Sequence, residues 1–166
     1  MSYNGKINFL TGNVLSDEWY TPQFIVDKCV EIAGEKIKGK VILPFDTDKS
    51  LFVRSLKDKG VELTYGITDF IEGDYQYSLA MTNPPFSIKE KVFEKCLMNK
   101  KDFILVLPET FIFSVKIFEL LQKYKFRYKL YSPKQRVYSL IPMADRTDLI
   151  FILLLYRLVA NIRKML

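Results

Sequence analysis

Short, uninterrupted runs of apolar residues, each ended by a turn-forming residue, constrain the fold of this chain more than any other feature. Val41 to Leu43 ends at Pro44, and Phe103 to Leu107 ends at Pro108. The apolar residues are consecutive rather than alternating, which is typical of strands buried on both faces of a parallel sheet. Segments with helical periodicity lie between the runs. This alternation predicts an α/β domain, a mostly parallel sheet with helices on both faces.

Four segments have the periodicity of amphipathic helices. The first opens at Thr21-Pro22, with Thr21 as the N-cap and Pro22 as the first helical residue. The second is Ser50 to Lys59, and the third opens with a capping-box pattern formed by Ser87 and Glu90. The fourth carries these apolar residues: Phe113, Ile117, Phe118, Leu120, Leu121 and Tyr124.

Further apolar segments are strand candidates. They are Val61 to Ile67, Tyr77 to Thr82, Arg127 to Tyr131 and Leu149 to Leu155. The last belongs to a very apolar stretch, but Arg157 interrupts it, and a bilayer span needs about 20 residues. We therefore expect a buried strand there.

Composition favours a single domain over residues 1–166, with residues 1–16 as an N-terminal arm. The chain has 166 residues and is 49% hydrophobic, enough for one sizeable core. Cys29 and Cys96 are too few for a disulfide framework and lie in amphipathic stretches, so we interpret them as core thiols. No signal peptide is visible. These features predict a cytoplasmic protein.

The net charge and the lack of His limit the partners and the catalytic groups that we expect. A net charge of +6 favours a polyanionic partner such as DNA. The chain has no His, which removes imidazole acid–base catalysis and His metal ligands. Because its two Cys are far apart in the sequence, we expect no metal site. No membrane association is expected either.

The segment Asn83-Pro84-Pro85-Phe86 carries the strongest functional signal. It follows the apolar run Tyr77 to Thr82, so it stands at the end of a buried strand. Two prolines remove two N–H donors, which leaves an amide side chain and carbonyl groups beside an aromatic ring. Such an acceptor cluster suits a planar amino group such as N6 of adenine. The alternative is an ordinary strand-to-helix turn, because Asn and Pro are common in turns.

Three segments fall at the carboxyl ends of predicted strands, where ligands bind in parallel α/β sheets. They are Pro44 to Ser50, Asp69-Phe70 and Asn83 to Phe86. With Tyr20-Thr21-Pro22 in front, this order resembles the amino-methyltransferases that use S-adenosylmethionine, in particular the DNA adenine-N6 methyltransferases. The segment Asp17 to Pro22 also looks like one common in phage-borne members. The resemblance covers roughly Trp19 to Leu155.

The resemblance implies a Rossmann-like class I methyltransferase fold with about six strands, one fewer than usual, and an antiparallel final strand. Asn83 and the carbonyl of Pro84 would accept the hydrogens of the target amino group, and Phe86 would stack on the flipped base. Asp69 would face the adenine of S-adenosylmethionine. The implied catalytic residues are Asn83, Pro84, Pro85 and Phe86, and the implied cofactor-binding residues are Tyr20, Thr21, Pro22, Pro44, Phe45, Asp46, Thr47, Asp69 and Phe70.

Several features depart from the family pattern. The cofactor loop has Leu43 where an acidic residue is usual, and it lacks the Gly-x-Gly turn. The ribose-binding acid at the end of the second strand has no clear counterpart, and no separate target-recognition region is visible. A distinct specificity subunit is therefore a possible partner. Basic residues expected to contact nucleic acid lie in the irregular segment Ser132 to Asp148: Lys134, Arg136 and Arg146.

Two functions remain open at this point. The first is methyl transfer from S-adenosylmethionine to the N6 amino group of adenine in DNA. The alternative is a catalytically reduced relative that keeps the fold and acts as a nucleic-acid-binding or interaction module. The motif at Asn83 does not separate DNA from RNA or from a glutamine amide in a protein.

Overall fold

The computed structural model describes residues 21–125, 127–131 and 150–156. The helices are α1 (Gln23–Ala33), α2 (Leu51–Asp58), α3 (Lys89–Asn99) and α4 (Val115–Tyr124), with 3-10 turns at Gly34–Lys38 and Glu109–Phe111. The strands are β1 (Val41–Leu43), β2 (Leu63–Tyr65), β3 (Leu79–Thr82), β4 (Asp102–Pro108), β5 (Arg127–Tyr131) and β6 (Ile150–Tyr156). In this part of the chain, no helix is long and apolar enough to cross a bilayer.

The six strands form one sheet in the order β2-β1-β3-β4-β6-β5. Strands β1 to β4 are mutually parallel where they pair, and β6 runs antiparallel to both β4 and β5. The predicted parallel α/β sheet, its six strands and its antiparallel final strand are confirmed. Residues 66–78 join β2 to β3 without a helix or strand, in agreement with the short passage expected from the sequence.

Two apolar layers cover the two faces of the sheet, which explains the consecutive apolar residues in its strands. Ile42 packs on one side with residues of α3 and α4, such as Phe93 and Ile117. Its neighbours Val41 and Leu43 pack on the other side with residues of α1 and α2. Both sides of a central strand are therefore buried, as the parallel-sheet prediction requires.

Two helix starts differ from the prediction. Helix α1 begins at Gln23 with Pro22 as its N-cap, and the carbonyl of Pro22 accepts from the backbone N–H groups of the first turn. Thr21 does not cap it, because its hydroxyl group is bonded to Asn83 instead. At α3 the capping box is not formed: the N-cap is Ile88, and Glu90 accepts from Lys116 at 2.7 Å.

The apolar residues named for the fourth helix are only partly buried. Ile117, Leu120 and Leu121 are buried, whereas Phe113 is 76% exposed and Phe118 is 61% exposed. Phe113 lies before α4 begins and therefore does not follow the helical repeat. Strand β2 is also shorter than predicted, because it pairs only with the three residues of β1.

Candidate active site

The loops after β1 and β3 meet at the point where the chain reverses its direction across the sheet. From β1 the chain moves outward to β2, and it then returns to place β3 on the other side of β1. Ligands of open α/β sheets bind in the crevice at such a switch point, outside the carboxyl ends of the strands. Pro44 to Ser50 and Asn83 to Phe86 are the segments that follow β1 and β3 there.

A buried carboxyl group connects the two sides of this crevice. Asp46 is only 3% exposed, and its Oδ1 accepts from the hydroxyl of Ser50 at 2.5 Å. Its Oδ2 accepts from the hydroxyl of Thr82, the last residue of β3, at 3.1 Å. Burial raises the pKa of Asp46 to about 6, although both hydrogen bonds act in the opposite direction. Asp46 thus holds the β1 loop against the end of β3.

Asn83 is oriented by a contact from the segment before α1. Its Nδ2 donates to Oγ1 of Thr21 at 3.1 Å, and Thr21 itself is buried. Because this bond uses the N–H side of the amide, Oδ1 is left as the acceptor. The structure therefore brings Thr21 and Asn83 together, 62 residues apart in the sequence.

The rest of the motif presents an aromatic ring and a fixed turn. Phe86 is 39% exposed, and the Nζ of Lys89 lies 6.0 Å from its ring centroid and donates to its carbonyl oxygen at 3.0 Å. Pro84 is buried and Pro85 is half-buried, and the carbonyl of Pro85 accepts from the N–H of Ile88. No donor of the described chain bonds to the Pro84 carbonyl. Such a carbonyl suits the acceptor role that the motif implies.

The segment after β2 contacts the β1 loop through its backbone and its aromatic residues. The N–H of Ile67 donates to the carbonyl of Pro44 at 2.6 Å. Phe70 is fully buried and packs edge to face on Phe45, with ring centroids 6.0 Å apart. Phe70 therefore supports the β1 loop through its contact with Phe45. Asp69 is exposed, and its carboxylate accepts from the hydroxyl of Tyr75.

The β1 loop forms without glycine. Within the described ranges, the residues other than glycine with positive φ are Lys100 and Lys125, so no loop residue adopts the left-handed backbone that favours glycine. A turn bond from the N–H of Ser50 to the carbonyl of Thr47, 2.9 Å long, closes the loop instead. Thr47 itself is exposed.

Some contacts of the site were not predicted from the sequence. Ser50 and Thr82 bind the buried Asp46, and the only available signals were the four-residue spacing from Asp46 to Ser50 and a polar residue ending an apolar strand. Tyr20 and the proposed nucleic-acid contacts Lys134, Arg136 and Arg146 lie outside the described residues. Among the residues described, no group of three or more Cys, Asp or Glu side chains could hold a metal ion.

Both cysteines are buried in the core, as predicted. Burial raises the pKa of the Cys29 thiol and of the Cys96 thiol well above the usual value. A thiol in this state is a poor nucleophile, since the thiolate is the reactive form. Neither thiol is therefore a candidate nucleophile.

Comparison of the chain with known proteins finds likeness in structure only. No protein-family model matches it, and no curated protein sequence matches it. A dimethyladenosine transferase from Plasmodium falciparum is 14% identical and superposes with a TM-score of 0.55 over 82% of this chain and 62% of its own length. The chain therefore spans less than two thirds of that protein.

A second solved structure matches this chain over nearly the whole length of both proteins. It is a protein of Pyrococcus horikoshii proposed to be an RNA methyltransferase, also 14% identical, with a TM-score of 0.55 over 95% of this chain and 99% of its own length. At this identity the likeness shows the fold alone. The chain has a Rossmann-like methyltransferase fold.

Proposed function

We propose that this protein transfers a methyl group from S-adenosylmethionine to the N6 amino group of adenine in DNA. The observation that carries the proposal is the oriented amide of Asn83 at the carboxyl end of β3. Thr21 holds its Nδ2 at 3.1 Å, and the partly exposed ring of Phe86 stands three residues further along. The methyltransferase fold supports the same reaction class.

The residues of the crevice fit the proposed cofactor. S-adenosylmethionine is a nucleoside with a positively charged sulfur, and it supplies an activated methyl group. The buried Asp46 places a carboxyl group at the switch point, where a nearby cation would favour its ionised form. The exposed carboxylate of Asp69 and the β1 loop from Pro44 to Thr47 complete the predicted cofactor side.

The chain's own residues would act by positioning the acceptor base. Oδ1 of Asn83 and the carbonyl of Pro84 would each accept one hydrogen of the amino group, which directs the nitrogen lone pair away from the ring system. Phe86 would stack on the base once it has left the duplex. Holding the acceptor in this geometry lowers the barrier by orientation and electrostatics. No side chain forms a covalent bond to the substrate.

Two alternatives to this proposal remain, one for the substrate and one for the activity. The charge of +6 favours a nucleic acid but does not distinguish DNA from RNA. Because one structural neighbour is a dimethyladenosine transferase and another is a proposed RNA methyltransferase, RNA is the alternative substrate. The loop after β1 lacks the glycine turn of the family. This departure favours a second candidate function, that of a nucleic-acid-binding module without transfer activity.

The test is transfer of labelled methyl from S-adenosylmethionine to unmethylated DNA, to RNA and to a protein mixture. The product is then digested and the labelled nucleoside is identified. We expect label in N6-methyl-2′-deoxyadenosine from DNA. Label in RNA alone would identify RNA as the substrate. Label in glutamine would show that the acceptor is a protein amide rather than adenine. Cofactor binding without any transfer would favour the binding-module function.

A further inference from the structure

Three polar side chains from three elements meet beyond the end of β2. Asp48 belongs to the β1 loop, Lys57 to α2, and Tyr65 is the last residue of β2. The Nζ of Lys57 donates to Oδ1 of Asp48 at 3.0 Å, and the hydroxyl of Tyr65 donates to the same oxygen at 2.6 Å. A third bond of 2.8 Å joins Lys57 to Tyr65 and closes the set.

These hydrogen bonds use one carboxylate oxygen of Asp48 and leave the other accessible. Both donors bind Oδ1 of Asp48, and no donor from the described residues is bonded to Oδ2. The side chain of Asp48 is 76% exposed. The hydrogen bond from Tyr65, followed by that from Lys57, lowers the pKa of Asp48, so the group is ionised at neutral pH. An ionised carboxylate with one free oxygen is a strong acceptor for hydroxyl groups.

The position of this carboxylate is set by neighbouring strand ends. Tyr65 is in register with Leu43, the last residue of β1, and the two strands are parallel. Asp48, in the loop that follows β1, is therefore bonded to the last residue of β2, and β2 lies on the side of β1 away from β3 and Asn83. In dinucleotide-binding α/β folds an acidic side chain near this place binds a ribose hydroxyl.

We propose that Asp48 binds the ribose hydroxyl groups of the methyl donor, with Tyr65 and Lys57 as positioning residues. The inference rests on the function proposed above and names a specificity-determining residue for it. In this chain the last residue of β2 is Tyr65 rather than an acid, and its hydroxyl group donates to Asp48 in the β1 loop. Lys57 is a second candidate contact for the vicinal hydroxyl pair, because an ammonium group has three N–H donors and two are used here.

Titration calorimetry of the whole chain tests the proposal with two probes. They are S-adenosylhomocysteine and its 2′-deoxyribose analogue. We expect Asp48→Asn to weaken binding of S-adenosylhomocysteine by about tenfold or more, as for a lost bond to a charged group. The same variant should weaken binding of the deoxy analogue less, because this probe lacks one of the two hydroxyl groups that Asp48 would bind. Tyr65→Phe should show a smaller effect of the same kind.

Asp58→Asn is the matched control, because it removes one exposed carboxylate at the end of α2 without touching the cluster. It should bind both probes like the wild type. Equal weakening of both probes by Asp48→Asn, or no weakening at all, overturns the assignment while leaving the proposed function intact. A wild type that binds neither probe overturns the cofactor assignment itself, and the inference falls with it.

Discussion

At the scale of single residues, Asp46 is a carboxyl group whose surroundings favour its protonated form. Its partners are two neutral hydroxyl groups, those of Ser50 and Thr82, and it is 3% exposed. Two such bonds do not replace the hydration that a carboxylate has in water. The pKa therefore rises above the ordinary value of 3.8, to about 6.

This shift has a predicted effect on stability. Between the two pKa values the folded state binds the proton and the unfolded chain does not, so the free energy of unfolding falls as pH rises through about 6. Asp46→Asn removes this titration while it retains hydrogen-bonding atoms. From about pH 4.5 to about pH 7.5, the variant should gain about 2 kcal/mol relative to the wild type. Urea unfolding at both pH values measures this difference, and a constant difference would contradict it.

The residues of the site differ in how far sequence could predict them. Asn83 and Phe86 were recognisable because a local string of residues encodes their turn. The contact between Asn83 and Thr21 was not recognisable, because it spans 62 residues and depends on where α1 begins. The roles of Ser50 and Thr82 depend on the burial of Asp46, which only the packed fold produces.

At the scale of elements, two helices have serine caps with different surroundings. Ser50 caps α2 by accepting from the N–H of Phe52, and Ser114 caps α4 by accepting from the N–H of Ile117. Ser50 alone of this pair also donates to a buried carboxyl group, that of Asp46. The start of α2 is thus coupled to the candidate site.

We expect the two caps to respond differently to substitution. Ser114→Ala should lower the free energy of unfolding by about 1 kcal/mol, as for an ordinary cap. Ser50→Ala should lower it by about 2–4 kcal/mol at neutral pH, because the bond to Asp46 is lost as well. Denaturant unfolding of both variants measures the difference. Equal losses would show that the bond to Asp46 adds no stability.

The existence and type of the elements were more predictable than their ends. Apolar runs such as Phe103 to Leu107 identified strands, because burial on both faces leaves no polar position within them. The short β2 was overestimated, since its length is set by pairing with β1. The exposure of Phe113 and Phe118 could not be predicted from the sequence, because an aromatic residue near a helical repeat is usually part of the core.

At the scale of the whole molecule, the order of the strands brings the proposed site together. The sheet order β2-β1-β3 puts the ends of β1 and β3 side by side, with Asp46 bonded across to Thr82. The parallel sheet followed from the residues themselves, whereas the six strands and the antiparallel β6 were expectations from the family resemblance. Periodicity alone does not specify which strands are neighbours.

The net charge of +6 leads to a prediction about binding to DNA. If basic side chains neutralise about three or four phosphates, affinity should fall by about 40-fold to 150-fold when salt rises from about 50 mM to about 200 mM. Fluorescence anisotropy with a labelled duplex measures this dependence. Affinity that stays constant over this range would show that the charge only keeps the protein soluble.

The central claim is that Oδ1 of Asn83 accepts a hydrogen bond from the target amino group. Its direct test is the rate of labelled methyl transfer to DNA by Asn83→Ala, with Asn99→Ala as the control. Asn99 is also a half-buried amide bonded to a hydroxyl group, that of Tyr77, but it lies at the end of α3 away from the site.

We predict that Asn83→Ala lowers the rate by about a hundredfold to a thousandfold while binding of S-adenosylmethionine persists, because an acceptor at the reacting centre is lost. Asn99→Ala should retain the wild-type rate. Undiminished transfer by Asn83→Ala would contradict the central claim.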